Sequence, residues 1–280
     1  MPGGPPPDAE VGYTVRAVAD RLGVPTATLR SWNQRYRIGP NGHQAGHHRL
    51  YTEADITALE RMVALVREGA SPAAAAAAIH RPAPPRGDRE TLLAAAFALD
   101  STAVSDLLTG HLRRYGVVDT WNLLCRPAFA DIVSEQERGV GCIDVEHLLS
   151  WCTASALQRV APPPPGPSRI AAVLACTSGE THSLPLEVLR AGLAERGLNA
   201  LTLGPDVPTT ALVDAISRLP EPAPVVLWSQ RESTALVSAV RACVSAGPPV
   251  HVGGPGWAAV RLPAQVRTFP DLVTALTALG

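Results

Sequence analysis

Apolar positions in this chain follow two periods, and the change between them falls near residue 169. In TVRAVADRLGV (14–24), Val15, Val18, Ala19 and Leu22 recur at helical spacing, with Thr14 placed as an N-cap and Gly23 as a stop. PTATLRSWNQRY follows at once, with Pro25 suited to a helix first turn. After the loop IGPNGHQAGHHRLY, the segment TEADITALERMVALVREG repeats Ile56, Leu59, Met62, Val63 and Val66 every 3.6 residues. Thr52 and Asp55 give it the pattern of a capping box. A short alanine-rich helix is expected at 72–79. Four more helical segments follow between 89 and 160: RETLLAAAFALD, TAVSDLLTGHLRRYG, VVDTWNLLCRPAFADIVSEQERG and CIDVEHLLSWCTASALQRV. Pro127 is expected to bend the third. Their short connections predict an antiparallel four-helix bundle.

Beyond 169 the period changes. RIAAVLACT, NALTLGP, APVVLWSQ and PPVHVGG are short apolar runs, and QVRTF is a final one. They alternate with LPLEVLRAGLAERG, TTALVDAISRL, TALVSAVRACVSAG and DLVTALTALG, which have helical spacing. Near-continuous apolar strands separated by amphipathic helices mean a parallel sheet covered on both faces. Right-handed crossovers then predict a Rossmann-like domain.

Two proline-rich stretches, HRPAPPRGD (80–88) and APPPPGPS (161–168), punctuate this pattern. They divide the chain into a disordered leader at 1–10, a helical block at 11–80, a bundle at 89–160 and the α/β block at 169–280. The expected class is therefore multidomain: an all-α head, a middle four-helix bundle and a C-terminal α/β Rossmann-like parallel sheet. The five cysteines (125, 142, 152, 176, 243) are scattered without a C-x-x-C pair, which fits buried thiols in a reducing compartment. The leader has no charged and apolar export signature, and the longest apolar run is too short for a bilayer, so a cytoplasmic chain without membrane attachment is expected.

Charge changes the reading of the head. Net charge is −1 over 280 residues, yet Val11 to Tyr51 holds six arginines (16, 21, 30, 35, 37, 49) and one acid, Asp20. Such an asymmetry is the electrostatic footprint of phosphate binding. The two helices around RLGVP have helix-turn-helix spacing. The second places Thr26, Thr28, Arg30, Ser31 and Arg35 on its exposed side, with Leu29 and Trp32 facing inward. In this geometry arginines position the duplex and the second helix reads base edges.

The run YTVRAVADRLGVPTATLRSWNQRY, followed by GHHRLYTEADI, resembles the winged helix-turn-helix of the MerR family of transcriptional regulators, from residue 13 to about 70. The resemblance implies dimeric binding to an inverted repeat in double-stranded promoter DNA. It also implies contacts from Arg49 and Tyr51 in the wing. The DNA-binding set is then Arg16, Thr26, Thr28, Arg30, Arg35, Tyr36, His48, Arg49 and Tyr51. His47 stands where the family usually has Gly. His43, His47 and His48 lack the Cys or carboxylate that would complete a metal site.

A helical bundle followed by a Rossmann-like domain, behind a MerR-type head, resembles the cobalamin-binding photoreceptor regulators of the CarH, CarA and LitR type. The sensor loop of that group reads Asp/Glu-x-His-x-x-Gly after the first strand, and here Glu180-Thr181-His182-Ser183-Leu184-Pro185 stands there. The resemblance implies that His182 is the lower axial cobalt ligand. A neutral imidazole suits cobalt, and a carboxylate two residues away can orient its other nitrogen. It further implies cofactor contacts from Glu180, from Ser229, from the pair Gly253-Gly254 beside the nucleotide tail, and from Glu146-His147 on the upper face. The cofactor implied is cobalamin, with adenosylcobalamin as the light-sensitive form, and the assembly implied is a homodimer or homotetramer. The departures are Pro185 for the loop's Gly, Arg231 for Leu after Ser229, and Gln136 and Glu137 where the photoreceptors carry Trp and His. The expected function is a repressor, not an enzyme, whose oligomerisation and DNA affinity follow cobalamin. The rival reading is a MerR-family regulator with a degenerate sensor that binds another small ligand or acts through protein contacts. No G-x-S-x-G, P-loop or H-E-x-x-H motif supports an enzyme.

Overall fold

The computed structural model describes residues 12–40, 50–67, 69–80, 85–166 and 169–280. The chain forms two compact units, Met1–Pro82 and Ala83–Gly280. The expected leader at 1–10 lies outside the described residues, as do His43, His47, His48 and Arg49.

The first unit contains α1 (Val15–Leu22), α2 (Thr26–Tyr36), α3 (Glu53–Arg67) and α4 (Pro72–His80). Local chemistry sets each boundary. Thr14 Oγ1 accepts from Ala17 N at 3.2 Å, and Gly23 ends α1 in the left-handed conformation (φ 64°). The capping box at α3 is reciprocal: Asp55 N donates to Thr52 Oγ1 (3.2 Å) and Thr52 N to Asp55 Oδ2 (2.9 Å). Arg37 ends α2 at φ 54°, a left-handed non-glycine that no sequence signal marked. Leu29 and Trp32 are buried with Val18, Leu22, Ile56, Leu59 and Met62, so the inward face of α2 is the one its spacing predicts. Tyr13 and Tyr51 exchange both backbone hydrogen bonds (2.8 and 2.7 Å) as an isolated antiparallel bridge.

The second unit opens with four helical segments. They are α5 (Arg89–Phe97), α6 (Ser101–Asp119), a stretch ending in α7 (Arg126–Glu137), and α8 (Ile143–Val160). Two breaks shape them. Gly116 interrupts α6 at φ 76°, ψ 178°, and residues Thr120–Cys125 wind as a π-helical turn directly before Pro127. The expected bend at Pro127 is thus a π turn upstream of it. A proline inside a helix has no N–H and crowds the carbonyl four residues back, and a wider turn absorbs both defects.

The α/β part is a five-stranded parallel sheet in the order β2-β1-β3-β4-β5. Its strands are β1 (Ile170–Thr177), β2 (Asn199–Val207), β3 (Val225–Trp228), β4 (Val250–Gly253) and β5 (Arg267–Phe269). Helices α9 (Leu184–Ala194) and α12 (Leu272–Leu279) cover one face, while α10 (Thr209–Ser217) and α11 (Val237–Ser245) cover the other. Five parallel strands with helices on both faces bear out the Rossmann-like expectation.

The second proline-rich stretch, which the sequence marks as a boundary, runs inside this unit. Bundle and sheet share one wall, α9. Its residues Val188 and Ala191 belong to the bundle core, and Leu186, Leu189 and Leu193 belong to the sheet core. Polar contacts pin the same wall. Glu187 Oε2 accepts from Gln158 of α8 (2.6 Å) and from Arg190 Nε (3.0 Å), and Arg190 Nη1 donates to the Ala161 carbonyl (2.9 Å). Glu195 accepts from the Val117 N–H exposed by the Gly116 break (3.0 and 3.1 Å). Among the described residues no helix is long and apolar enough to cross a membrane. All five cysteines are buried free thiols, and burial pushes Cys125 and Cys176 up to about 12, which makes them poor nucleophiles.

His111 is the buried polar centre of the bundle, at 1% exposure. Its Nε2 accepts from Gly87 N (3.0 Å), and its Nδ1 meets Thr120 Oγ1 (2.8 Å), which donates to the Gly116 carbonyl (2.7 Å). Burial, helped by the Arg86 charge and opposed by Asp119, lowers its pKa below the usual histidine value. The unfolded chain therefore binds this proton more readily than the folded one, and stability falls as pH drops below about 6.5. We expect His111→Gln to lower the urea midpoint at pH 7.5, with the gap to wild type closing towards pH 5.

Candidate functional site

In the first unit, Arg16 on α1 and Arg30 and Arg35 on α2 are exposed, and Thr26 and Thr28 are half-buried beside them. Thr26 with Arg30, and Thr28 with Arg35, thus flank the buried Leu29–Trp32 stripe of α2 on its two sides, and these hydroxyls and guanidinium groups suit phosphate and base-edge contacts. Arg21 leaves the free positive set. It pairs with Glu53 and Glu60, at 3.2 Å each. Tyr36 is half-buried, and its carbonyl accepts from His80 Nε2 of α4 at 2.5 Å, so the end of α2 is tied down. Tyr51 is 3% exposed and belongs to the head's core cluster. His48 and Arg49 lie outside the described residues.

In the second unit, the loop after β1 brings Glu180 and His182 to the carboxyl end of the sheet, where open α/β sheets hold ligands. Pro185 falls in the first turn of α9, where its missing N–H is one of the unpaired ones anyway. The substitution of the loop's usual glycine is therefore accommodated without strain. Glu180 is 1% exposed. Its Oε1 accepts from His182 N (2.9 Å) and His182 Nδ1 (2.5 Å). Its Oε2 accepts from Gln230 N (2.7 Å), Arg231 N (3.3 Å) and Thr234 Oγ1 (2.6 Å). Burial by itself pushes this carboxyl up, but the bonds from Thr234, from His182 through N–H and ring, and from Gln230 outweigh it and hold the pKa at about 2.

A carboxylate oxygen accepts from His182 Nδ1, so the neutral form of the ring carries its proton on Nδ1 and its lone pair on Nε2. The side chain is 39% exposed, and Nε2 makes no hydrogen bond among the described residues. A fixed tautomer with an outward lone pair is what a metal-ligating histidine needs.

Ser229 is fully buried at the end of β3. Its hydroxyl donates to the Arg231 carbonyl (2.8 Å) and meets Thr234 Oγ1 (2.7 Å). Arg231, in place of leucine, contributes backbone: its N–H reaches Glu180, and its own side chain is exposed. The glycine pair has a local explanation. A Cβ at Gly253 would come within 3.2 Å of the Trp228 ring. One at Gly254 (φ 103°) would overlap the Ser229 carbonyl and lie 3.1 Å from the indole. The room beside the pair is taken by Trp228, whose Nε1 is buried without a hydrogen-bond partner. Gly256, which the sequence reading passed over, is equally constrained, because a side chain there would overlap the Arg231 carbonyl.

Glu146 and His147 sit in the first turn of α8. Glu146 is half-buried and accepts from Gln136 Nε2 (2.8 Å), while His147 is exposed. The structure thus joins Glu146 to the residue that replaces the photoreceptor tryptophan. Among the described residues no hydrogen bond links either to Glu180, His182 or Ser229. The missed member of the site is Thr234. It lies in the short helical turn Glu232–Thr234, and only folding brings it from 54 positions away onto Glu180.

Gly254→Ala tests the backbone requirement. A left-handed conformation costs a non-glycine residue about 1–3 kcal/mol, and the overlap with Ser229 adds to it. We expect the variant to lose at least about 2 kcal/mol of unfolding free energy by urea denaturation.

Comparison with known proteins follows the same division. The MerR HTH family of regulatory proteins matches residues 13–81. The HTH-type transcriptional repressor CarA of Myxococcus xanthus is 31% identical over 264 residues, 86% of each chain. The repressor CarH of the same organism is 26% identical, over 88% of this chain and 90% of CarH. The monomethylamine corrinoid protein of Methanosarcina barkeri is similar in fold, with a TM-score of 0.54 at 13% identity, over 67% of this chain and 94% of that one. The chain belongs to the family of MerR-type helix-turn-helix transcriptional repressors that includes CarA, and it is a DNA-binding regulator rather than an enzyme.

Proposed function

We propose that this chain is a cytoplasmic repressor that binds an inverted repeat as a homodimer or homotetramer, with a cobalamin held at His182 setting its DNA affinity. The observation that carries the effector is the Glu180–His182 pair. It presents the Nε2 edge of the ring at the carboxyl end of β1, with Nδ1 held by a buried, fully hydrogen-bonded carboxylate. His182 would hold the cobalt of a cobalamin and Glu180 would orient the ring; the cofactor would supply a metal centre able to respond to chemistry or light. Ser229 steadies the loop that carries Glu180's other donors. Glu146 and His147 belong to the proposed upper face, with Gln136 in place of an aromatic ring. The glycine pair would face the nucleotide tail only with the Trp228 ring turned aside. Adenosylcobalamin is the form for which light would act. Ligand-linked assembly would then change how many DNA-reading heads engage at once.

A second reading has its own support. Trp228 covers the glycine pair, so a sensor that has lost cobalamin and answers to a smaller ligand or a protein contact fits that side of the site. One experiment separates the two. Purified protein is mixed with adenosylcobalamin or hydroxocobalamin, and its absorbance spectrum and elution volume are recorded before and after green light. Under the cobalamin reading the spectrum shifts on binding, and His182→Ala abolishes the shift. An unchanged spectrum and elution volume favour the second reading.

The DNA-reading face has separate tests. Arg16→Ala should weaken binding to a selected inverted-repeat duplex and to unrelated DNA alike, and lower the slope of log K against log salt by about one. Arg30→Ala should cost about 1–3 kcal/mol and relax discrimination between operator and mutated operator, as read by competition titration.

A further inference from the structure

Gly253, the last residue of β4, has an aromatic side chain beside it on each neighbouring strand. Trp228 of β3 and Phe269 of β5 are its partners in register, and both rings pack on the sheet face that α9 and α12 cover. Phe269 is buried and stacks on His251, with ring centroids 4.5 Å apart. The half-buried indole of Trp228 leans over the glycines themselves. Its outer edge, Cε3 and Cζ3, would meet a Gly253 Cβ at 3.2 and 3.4 Å, and its ring-fusion carbon Cε2 would meet a Gly254 Cβ at 3.1 Å. A glycine in a strand marks a place where another group comes close to the backbone. Here that group is the chain's own indole, lying across both glycines. The indole's one polar atom, Nε1, is buried without a hydrogen-bond partner, so packing alone seats the ring.

The base on the nucleotide tail of a cobalamin is a benzimidazole, a flat five-membered ring fused to a six-membered one, and an indole has the same two-ring outline. Only one of the two can occupy the seat over Gly253 and Gly254. We propose that Trp228 is a built-in substitute for that base, and that the sensor site takes a cobalt corrinoid without a nucleotide tail, of the cobinamide class, in preference to cobalamin. This rests on the reading of His182 as the residue that holds the cobalt, and it narrows the class of corrinoid. A tailed corrinoid must either displace the indole, losing its packing against the sheet, or leave the base outside the protein. A corrinoid without the tail meets neither cost. Discrimination between two ligands that share a ring system then comes from an obstacle to one of them. The glycine pair keeps its meaning in this account: it makes room for a bicyclic ring, which the chain itself supplies.

The test titrates hydroxocobalamin and hydroxocobinamide into the full chain as wild type, Trp228→Ala and Trp228→Leu, followed by absorbance, with a thermal unfolding curve for each protein. The quantity read is the ratio of the two dissociation constants. Detaching the base from cobalt, which cobalamin alone must do, cancels when that ratio is compared between proteins. Wild type should bind the cobinamide more tightly, and Trp228→Ala should move the ratio towards cobalamin by at least about 10-fold. Free dimethylbenzimidazole gives a reading without any corrinoid. By filling the space the indole leaves, it should raise the unfolding temperature of Trp228→Ala and leave that of wild type unchanged. Tighter binding of cobalamin by wild type, a ratio that Trp228→Ala leaves unchanged, or equal effects of dimethylbenzimidazole on the two proteins overturns the proposal, while corrinoid binding of any kind leaves the cobalt reading in place. Should Trp228→Ala fail to fold, Trp228→Leu carries the same comparisons. If neither corrinoid binds any of the proteins, the cobalamin reading falls and this proposal with it.

Discussion

A carboxylate with no access to water must find its donors in the protein, and the carboxyl end of this sheet is arranged around that requirement. Glu180 draws on its own loop, through His182, and on the loop after β3, through Gln230, Arg231 and Thr234. The two central strands that end there, β1 and β3, are neighbours in the sheet, so strand pairing delivers both loops to one point. A charged group is tolerated there because it is fully hydrogen-bonded, and its charge in turn selects which imidazole nitrogen is protonated. The loop sequence and the strand order are thus coupled through a single buried charge.

The loop is also the start of α9, and α9 is the wall shared by the bundle and the sheet. An ordinary surface helix buries one stripe. This one buries Leu186, Val188, Leu189, Ala191 and Leu193 around most of its circumference, together with Arg190. Burying Arg190 is feasible because Glu187 and the Ala161 carbonyl take two of its donors. At the far end Glu195 accepts the N–H that the Gly116 break sets free. The His182 loop therefore runs directly into the first turn of a helix whose sides and end are fixed to the bundle.

Much of this was legible in the chain itself. The caps of α1 and α3, the inward face of α2 and the alternation of strands and helices after 169 follow from local rules: a side-chain oxygen beside free N–H groups, a 3.6-residue apolar repeat, short apolar runs between helices. The likeness of the head to MerR-type regulators was equally local, because it lies in a contiguous segment. His182 and Glu180 were visible because they are two positions apart in one loop. Other features were not. Arg21 reads as a free cation until Glu53 and Glu60 are placed beside it. That Tyr51 packs in the head's core shows only once the chain is folded. The close approach of Trp228 to the glycine pair likewise shows only in the fold.

By itself the sequence determined the elements, their order and the chemical types gathered in each loop, because helix caps, periodicity and motif spacing are properties of neighbouring residues. Tertiary structure decided which of those groups are spent on one another. Thr234 reaches Glu180, Glu195 reaches Val117 and α9 is enclosed on both sides only because strand pairing and core packing join segments tens of residues apart. The hydrogen bonds that converge on Glu180 then hold the Nδ1 side of the His182 ring and leave its Nε2 side free of protein partners among the described residues.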